Sequence, residues 1–210
     1  MSKLVSAFFS PADREAIVAA VAVAEAKTSA ELVPMVVEAS DDYPKAELAC
    51  AVVVGLCAGL VLCLAFGTRN LWLFLLFGGV FALAGFEAAR RCPDVKRLFV
   101  SKARRLAETK QAAQAAFFSH GLTETQHRNA VLVYISIFER LVFIQPDKGL
   151  VGRLDTAALD AATAALTRGI AAGRQTEALM ACLDALAGLL APLYPPSPDD
   201  TDEIKNLILI

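Results

Sequence analysis

Apolar positions in the first 45 residues recur with a helical rhythm and then an extended one. Ser10-Pro11-Ala12-Asp13 reads as a helix start, with a capping serine, proline at the first helical position and an acid at the capping-box position. Ile17, Val21 and Ala24 mark one apolar face, and the helix is expected to end near Lys27-Thr28. "ELVPMVV" has the β-branched content of a strand. Pro34 cannot donate to a ladder, which predicts an edge position or a bulge. "ASDDYP" closes the strand with turn chemistry.

The pattern then changes. No charge occurs from Leu48 to Thr68, Arg69 interrupts, and Asn70 to Phe86 is again uncharged. A helix needs about 20 mostly apolar residues to cross about 30 Å of hydrocarbon. The first run meets that length, and the second does so with Ala88 and Ala89 included. "GTRN" is a tight turn, and Trp72 stands where an interfacial anchor belongs. Gly55, Gly59, Gly78, Gly79 and Gly85 allow close helix approach. The expectation is a transmembrane helical hairpin over 46–90, whose backbone satisfies itself in lipid. Arg90, Arg91, Lys96, Arg97, Lys102, Arg104 and Arg105 follow it, against Arg69 alone in the turn. That asymmetry predicts both termini in the cytoplasm. The cations are read as partners of anionic lipid in the bilayer, not of nucleic acid.

After Pro93 breaks the exit, Val100–Ser119 reads as a helix with Leu106, Ala113 and Phe117 on one face and Gly121 past its end. Val131–Ile137 is an apolar strand of the kind covered on both faces. Phe138-Glu139-Arg140 turns, and Leu141–Ile144 returns as a strand. Asp155 or Thr156 caps a helix carrying Leu159, Leu166 and Ile170, and Thr176 opens another carrying Leu179, Leu183, Leu186 and Leu190. "YPPSPDDTDE" reads as a linker and "IKNLILI" as an apolar tail that docks on the helical layer. The segment before the hairpin offers too little core to fold alone. Residues 1–45 and 91–210 are therefore expected to be two parts of one α/β domain, with the hairpin inserted into a connection.

Composition fits this division. The chain is 56% hydrophobic with a mean hydropathy of +0.52, between a soluble protein and a multi-spanning transporter. A net charge of −2 names no partner. The five cysteines form no CxxC and no Cys/His cluster, so they read as small hydrophobes. "MSKLVSAFFSPADRE" lacks the apolar core of a secretory signal.

Candidate chemistry is sparse. Asp41, Asp42 and Asp147 are an acidic set that could hold a divalent cation for phosphoester hydrolysis, or simply shape turns. Glu31 and Arg140 are read as an ion pair tying two strands, or Arg140 as a bidentate reader of carboxylate or phosphate. His120 and His127 lack metal-binding spacing. Ser136 lacks a GxSxG elbow, and no Walker or dinucleotide glycine pattern occurs. The hairpin holds no internal ionisable residue to mark an ion path.

The first helix with "TSAELVPMVVEASDDYP", and "AAQAAFFSHGLTETQHRNAVLVYISIFERLVFIQPDKGL", together resemble the TPM domain family. The chain is similar to bacterial membrane proteins in which a two-helix hairpin divides that domain. The resemblance implies an α/β/α sandwich and little agreed chemistry. Some relatives of the thylakoid lumen are associated with photosystem II repair and acid phosphatase activity, and a nematode relative assists a neurotransmitter receptor. Metal or phosphatase proposals in the family use acidic loop residues. Here the usual Asp-Asn-Gly before the central strand reads Arg128-Asn129-Ala130, which removes one carboxylate. The functional expectation is a non-enzymatic interaction or assembly module at the cytoplasmic face of a bacterial inner membrane. Its partner would be a membrane or cytoplasmic protein or a second copy. The alternative is an acid phosphatase-like hydrolase using a divalent cation.

Overall fold

Two six-residue strands from opposite sides of the apolar stretch lie side by side. In the computed structural model, β1 (Leu32–Val37) and β2 (Val131–Ser136) run parallel, with Leu32 beside Val131 and Val37 beside Ser136. β3 (Leu141–Pro146) returns antiparallel to β2, and β4 (Ile208–Leu209) joins the far side of β1 in parallel, giving the order β3-β2-β1-β4. The structure describes residues 3–125, 127–196 and 207–210. Eight helices occur among them: α1 (Lys3–Phe8), α2 (Pro11–Glu25), α3 (Pro44–Ala65), α4 (Leu71–Arg91), α5 (Pro93–Leu98), α6 (Lys102–Ser119), α7 (Thr156–Ala171) and α8 (Gln175–Leu190). The chain forms two units, residues 1–40 with 107–210, and residues 41–106.

In the first unit, strand alternation builds an α/β/α sandwich. Leu32, Val36, Val131, Val133 and Ile135 face one way, onto Ile17 and Val21 of α2, Leu166 of α7 and Leu179, Leu183, Leu186 and Leu190 of α8. Val33, Met35, Val37, Leu132 and Tyr134 face the other way, onto Ala113, Ala116 and Phe117 of α6 and onto Leu122. Strands covered on both faces need near-continuous apolar sequence, and β1 and β2 have it. Helix starts follow local chemistry. The Ser10 hydroxyl accepts from the Asp13 amide while Asp13 Oδ2 accepts from the Ser10 amide, and Asp155 accepts from the Ala157 amide. The Ser10 hydroxyl and amide hold the Asp13 carboxyl below its usual value.

Pro34 is explained by the direction of its missing donor. Glu31 and Val37 turn their carbonyls toward β2, so Leu32, Pro34, Val36 and Glu38 face the outer edge. There the Leu32 amide donates to Glu25 Oε1, Pro34 has nothing to donate, and Val36 and Glu38 bond the Ile210 backbone. The strand thus tolerates proline without a bulge and without being the outermost strand. The tail expected on the helical layer instead extends the sheet as β4: an unfinished strand edge offers backbone partners that a helical face does not. Part of that tail and most of the proline-rich linker, residues 197–206, lie outside the described residues. Leu106, expected on the inner face of α6, is exposed. Pro93 does not merely break the chain; it takes the first position of α5.

The second unit contains two helices, of 22 and 21 residues, long and apolar enough to cross a membrane. They pack through small residues. A Cβ on Gly55 would stand 2.7 Å from the Gly78 carbonyl oxygen and 2.8 Å from Ala82 Cβ, and one on Gly59 would stand 3.2 Å from the Phe74 oxygen. Large side chains such as Leu56, Leu60, Leu64, Leu76, Leu83 and Trp72 face outward. Asn70 caps α4 by accepting from the Trp72 amide. Glu47 and Lys96 form a half-buried pair at 2.8 Å. Tyr43 is buried in a left-handed conformation (φ 49°), with the Arg104 guanidinium 5.9 Å from its ring centre.

Candidate functional site

Polar side chains buried in the first unit collect at the two ends of the sheet. At the end where β1 and β2 begin, the register places Glu31, Ala130 and Asp147 in one row, and the Asp147 amide donates to the Ala130 carbonyl. Strand alternation gives all three the same face. Glu31 is 7% exposed and Asp147 2%. Asp147 Oδ1 accepts from the Lys148 amide, while its Oδ2 has no hydrogen-bond partner among the described residues. Ahead of β2 at this end, the Arg128 backbone is held by its amide donating to the Thr125 carbonyl. It packs tightly on the Asp147–Gly149 turn: a Cβ at Gly149 would meet the Arg128 oxygen at 2.4 Å. Thr125 Oγ1 is buried and, like Asp147 Oδ2, has no hydrogen-bond partner among the described residues. Asn129 is buried and donates through Nδ2 to the Ser29 carbonyl.

At the other end, Glu139 is buried in the β2–β3 turn. Its carboxylate accepts from the Ser40 amide at 2.9 Å and from the Ser136 hydroxyl. Ser40 Oγ also lies 3.4 Å from the Tyr134 hydroxyl. The Tyr134 phenol is pushed above its usual value, chiefly by burial and further by the nearby Glu139 charge, while the Ser40 contact opposes the rise. Arg140 follows in a left-handed conformation (φ 56°) and is exposed. Beside it opens a cavity of about 440 Å³ lined by aliphatic residues from β2, β3 and α7, by Phe8, and by Ser136, Thr167 and Arg140. Ligands of open α/β sheets characteristically bind beyond the carboxyl ends of parallel strands, and this cavity lies there.

The sequence model of one family, the TPM domain, matches residues 96–189. The chain resembles the TPM domain over this stretch, a little under half of its length. Its fold is similar to the NMR structure of BA42 protein from the psychrophilic bacterium Bizionia argentinensis, with a TM-score of 0.61 and 17% identity over 97% of this chain and 96% of that one. No curated protein sequence matches it.

In the structure the predicted residues regroup. Glu31 and Arg140 do not pair with each other. Glu31 precedes β1 at one end of the sheet and Arg140 follows β2 at the other, about 20 Å apart over a six-residue strand at about 3.3 Å per residue. Glu31 instead shares a row with Asp147. Ser40, the residue before Asp41, leaves at the opposite end of β1 from Asp147. In the second unit Asp41 accepts from Arg104 at 3.4 Å and Asp42 is exposed. His120 and His127 are exposed.

A divalent cation of the kind the family resemblance implies does not find its ligand set. Among the described residues, no group of three or more His, Cys, Asp or Glu side chains is placed to hold a metal. Glu31 and Asp147 supply two carboxylates, and Arg128, where the resemblance led to the expectation of an aspartate, is an exposed cation. Sequence reasoning missed the Glu139 network. The three-residue spacing of Ser136 and Glu139 across a turn was the available signal, whereas Ser40 and Tyr134 required the strand register.

Proposed function

We propose that this chain is a membrane-anchored TPM module that acts by binding rather than by catalysis, with both flanks of its hairpin on the cytoplasmic side. The single observation that carries this reading is the end of the sheet at Glu139. Its buried carboxylate is held by two donors in an architectural role, and the neighbouring cationic side chain borders a mainly aliphatic cavity whose two hydroxyls, of Ser136 and Thr167, already donate elsewhere. Membrane anchoring is supported by two apolar helices with large outward side chains and by the cations that follow them. A protein partner or a second copy would dock on the soluble unit.

The test is affinity capture of the full chain from solubilised membranes after in-cell crosslinking, combined with light scattering of the purified protein. A reproducible partner or a defined oligomer, weakened by Arg140→Gln, is expected. A monomer with no captured partner overturns the reading. The alternative, phosphoester hydrolysis with a divalent cation on Asp41, Asp42 and Asp147, lacks support from the geometry, because β1 leads to Asp41 from the end opposite Asp147. It predicts turnover of p-nitrophenyl phosphate that Mg²⁺ supports and that Asp147→Asn abolishes. Topology is checked through Cys92, which is exposed at the end of α4. A membrane-impermeant maleimide is expected to label it in inverted vesicles only. Arg69→Cys in a Cys92→Ala background should give the opposite result.

A further inference from the structure

We infer that the cavity beside Arg140 binds a medium-chain alkyl carboxylate, with the guanidinium on its head and the aliphatic walls on its chain; this rests on the binding reading above. The volume, about 440 Å³, is within the range of about 300–1,000 Å³ for small-molecule sites. The lining selects the class of ligand. Ile135, Ile137, Leu141, Val142, Ile170 and Ala171 are aliphatic, and Phe8 is the single aromatic among the described residues that line it, a poor stacking platform for a base or a cofactor ring. Two hydroxyls line the cavity, and both of their protons are already engaged. Ser136 donates to Glu139, and Thr167 donates to the Thr163 carbonyl at 2.8 Å. A sugar or nucleotide, which needs several donors along its body, is therefore poorly served. What remains is one guanidinium, whose five N–H groups can grip a carboxylate in a forked pair and still serve another contact.

The backbone that carries that guanidinium is fixed by the turn. Glu139 is locked from two strands, by Ser40 after β1 and Ser136 at the end of β2, so the next residue has little backbone freedom. Phe8, whose carbonyl accepts from Gln175 Nε2 at 2.9 Å, forms a fixed part of the wall. Ile137, Ile170 and Phe8 are half-buried against the core and would lose their remaining water to an alkyl chain.

The test uses the full chain in phospholipid nanodiscs, with a diazirine-bearing decanoate and the matching decanol as photo-crosslinking probes. Peptide mass spectrometry reads labelling at the cavity relative to the hairpin, which reports probe dissolved in lipid. Wild type is expected to show cavity labelling by the carboxylate that excess decanoate competes away. Arg140→Gln should raise the required probe concentration about ten- to a hundred-fold, as expected for a charge-assisted hydrogen bond, and leave decanol labelling unchanged. Ala171→Trp, which fills the cavity, should abolish cavity labelling by both probes at an unchanged unfolding temperature. Wild-type labelling no higher than that of Ala171→Trp overturns the inference, as does an Arg140→Gln protein that labels like wild type. Either result, with partner capture intact, would leave the binding reading standing and remove only this ligand.

Discussion

Glu139 and Asp147 are each 2% exposed and stand at opposite ends of one sheet, yet their surroundings differ. Glu139 is held by donors from two separate strand ends, one a backbone amide and one a hydroxyl. Asp147 has a local amide on one oxygen and no hydrogen-bond partner among the described residues on the other. Glu31, the acid that shares its row, adds a second carboxylate to that end. Burial alone therefore does not identify a working carboxylate. A fully engaged one is part of the scaffold, and a half-engaged one stands where a further group is called for. In this chain the group at that position is Arg128, an exposed cation in a left-handed turn, rather than a third acid.

The sharpest way to break the contrast is to remove the engaged carboxylate. Glu139→Ala leaves the Ser136 hydroxyl and the Ser40 amide without their acceptor in a dehydrated site. A loss of about 3 kcal/mol is expected, given about 1–3 kcal/mol for each buried group left unsatisfied. Urea unfolding of the full chain in detergent measures it. A loss below about 0.5 kcal/mol, the range of a neutral surface change, would show that the network is not structural.

Next in size is a gain at the opposite end. Arg128→Asp places a third carboxylate beside the Asp147–Gly149 turn, on a backbone with φ 52° that aspartate tolerates better than most residues. Ca²⁺ should then stabilise the variant by about 2.7 kcal/mol at a hundred-fold excess over its dissociation constant, while wild type is unmoved. Thermal unfolding with and without Ca²⁺ reads the difference. Stabilisation of wild type to the same degree would mean that Glu31, Asp147 and their neighbours already form a complete cation site.

How much of this was legible beforehand follows from the range of each interaction. The Ser10–Asp13 capping box, the Asp155 cap and the two apolar helices are local or compositional, and the residues alone gave them. Coverage of β2 on both faces was legible in its nearly continuous apolar run, while the α/β/α sandwich was what the family resemblance implied. The row shared by Glu31 and Asp147 was not legible, because it depends on β1, β2 and β3 being in register, with about 100 residues between β1 and β2. Grouping Asp41 and Asp42 with Asp147 used sequence composition where strand direction was needed. The tail was misplaced for a similar reason. A short apolar run does not reveal whether its backbone or its side chains will find the better partner, and here the Val36 and Glu38 edge decided it. The cavity at Arg140 is formed by α1, β2, β3 and α7 together, so no single stretch announces it.

A smaller effect sharpens the Glu139 end by titration. Tyr134 holds its proton more tightly in the folded protein than its ordinary value of 10.0. A raised folded-state value means that the stability it contributes is fully present below pH 10 and is lost as pH rises beyond it. Cys182, whose thiol burial pushes up from 9.0 to about 12, loses stability over an overlapping window with the same sign. The comparison therefore belongs in a Cys182→Ala background. There, stability should fall by no more than about 1.4 kcal/mol per pH unit above pH 10, and Tyr134→Phe should remove that slope. A slope unchanged by Tyr134→Phe would place the titrating group elsewhere.

The smallest expected effect tests the other half of the comparison. Asp147→Asn keeps an oxygen to accept from the Lys148 amide and replaces the second oxygen, which has no hydrogen-bond partner among the described residues, with an NH₂ group. Two terms oppose each other. Removing a formal charge from a site that is 2% exposed is favourable, and burying two new donors is unfavourable unless they find acceptors. The buried Thr125 oxygen at the same end, and the Glu31 carboxylate in the same row, are acceptors in the neighbourhood. The charge term should then slightly exceed the donor term, for a change within about 1 kcal/mol of wild type and on the stabilising side. That is the reverse in sign of Glu139→Ala. A loss of about 3 kcal/mol from Asp147→Asn would mean that the carboxylate is fully engaged after all, and the two ends of the sheet would then be alike.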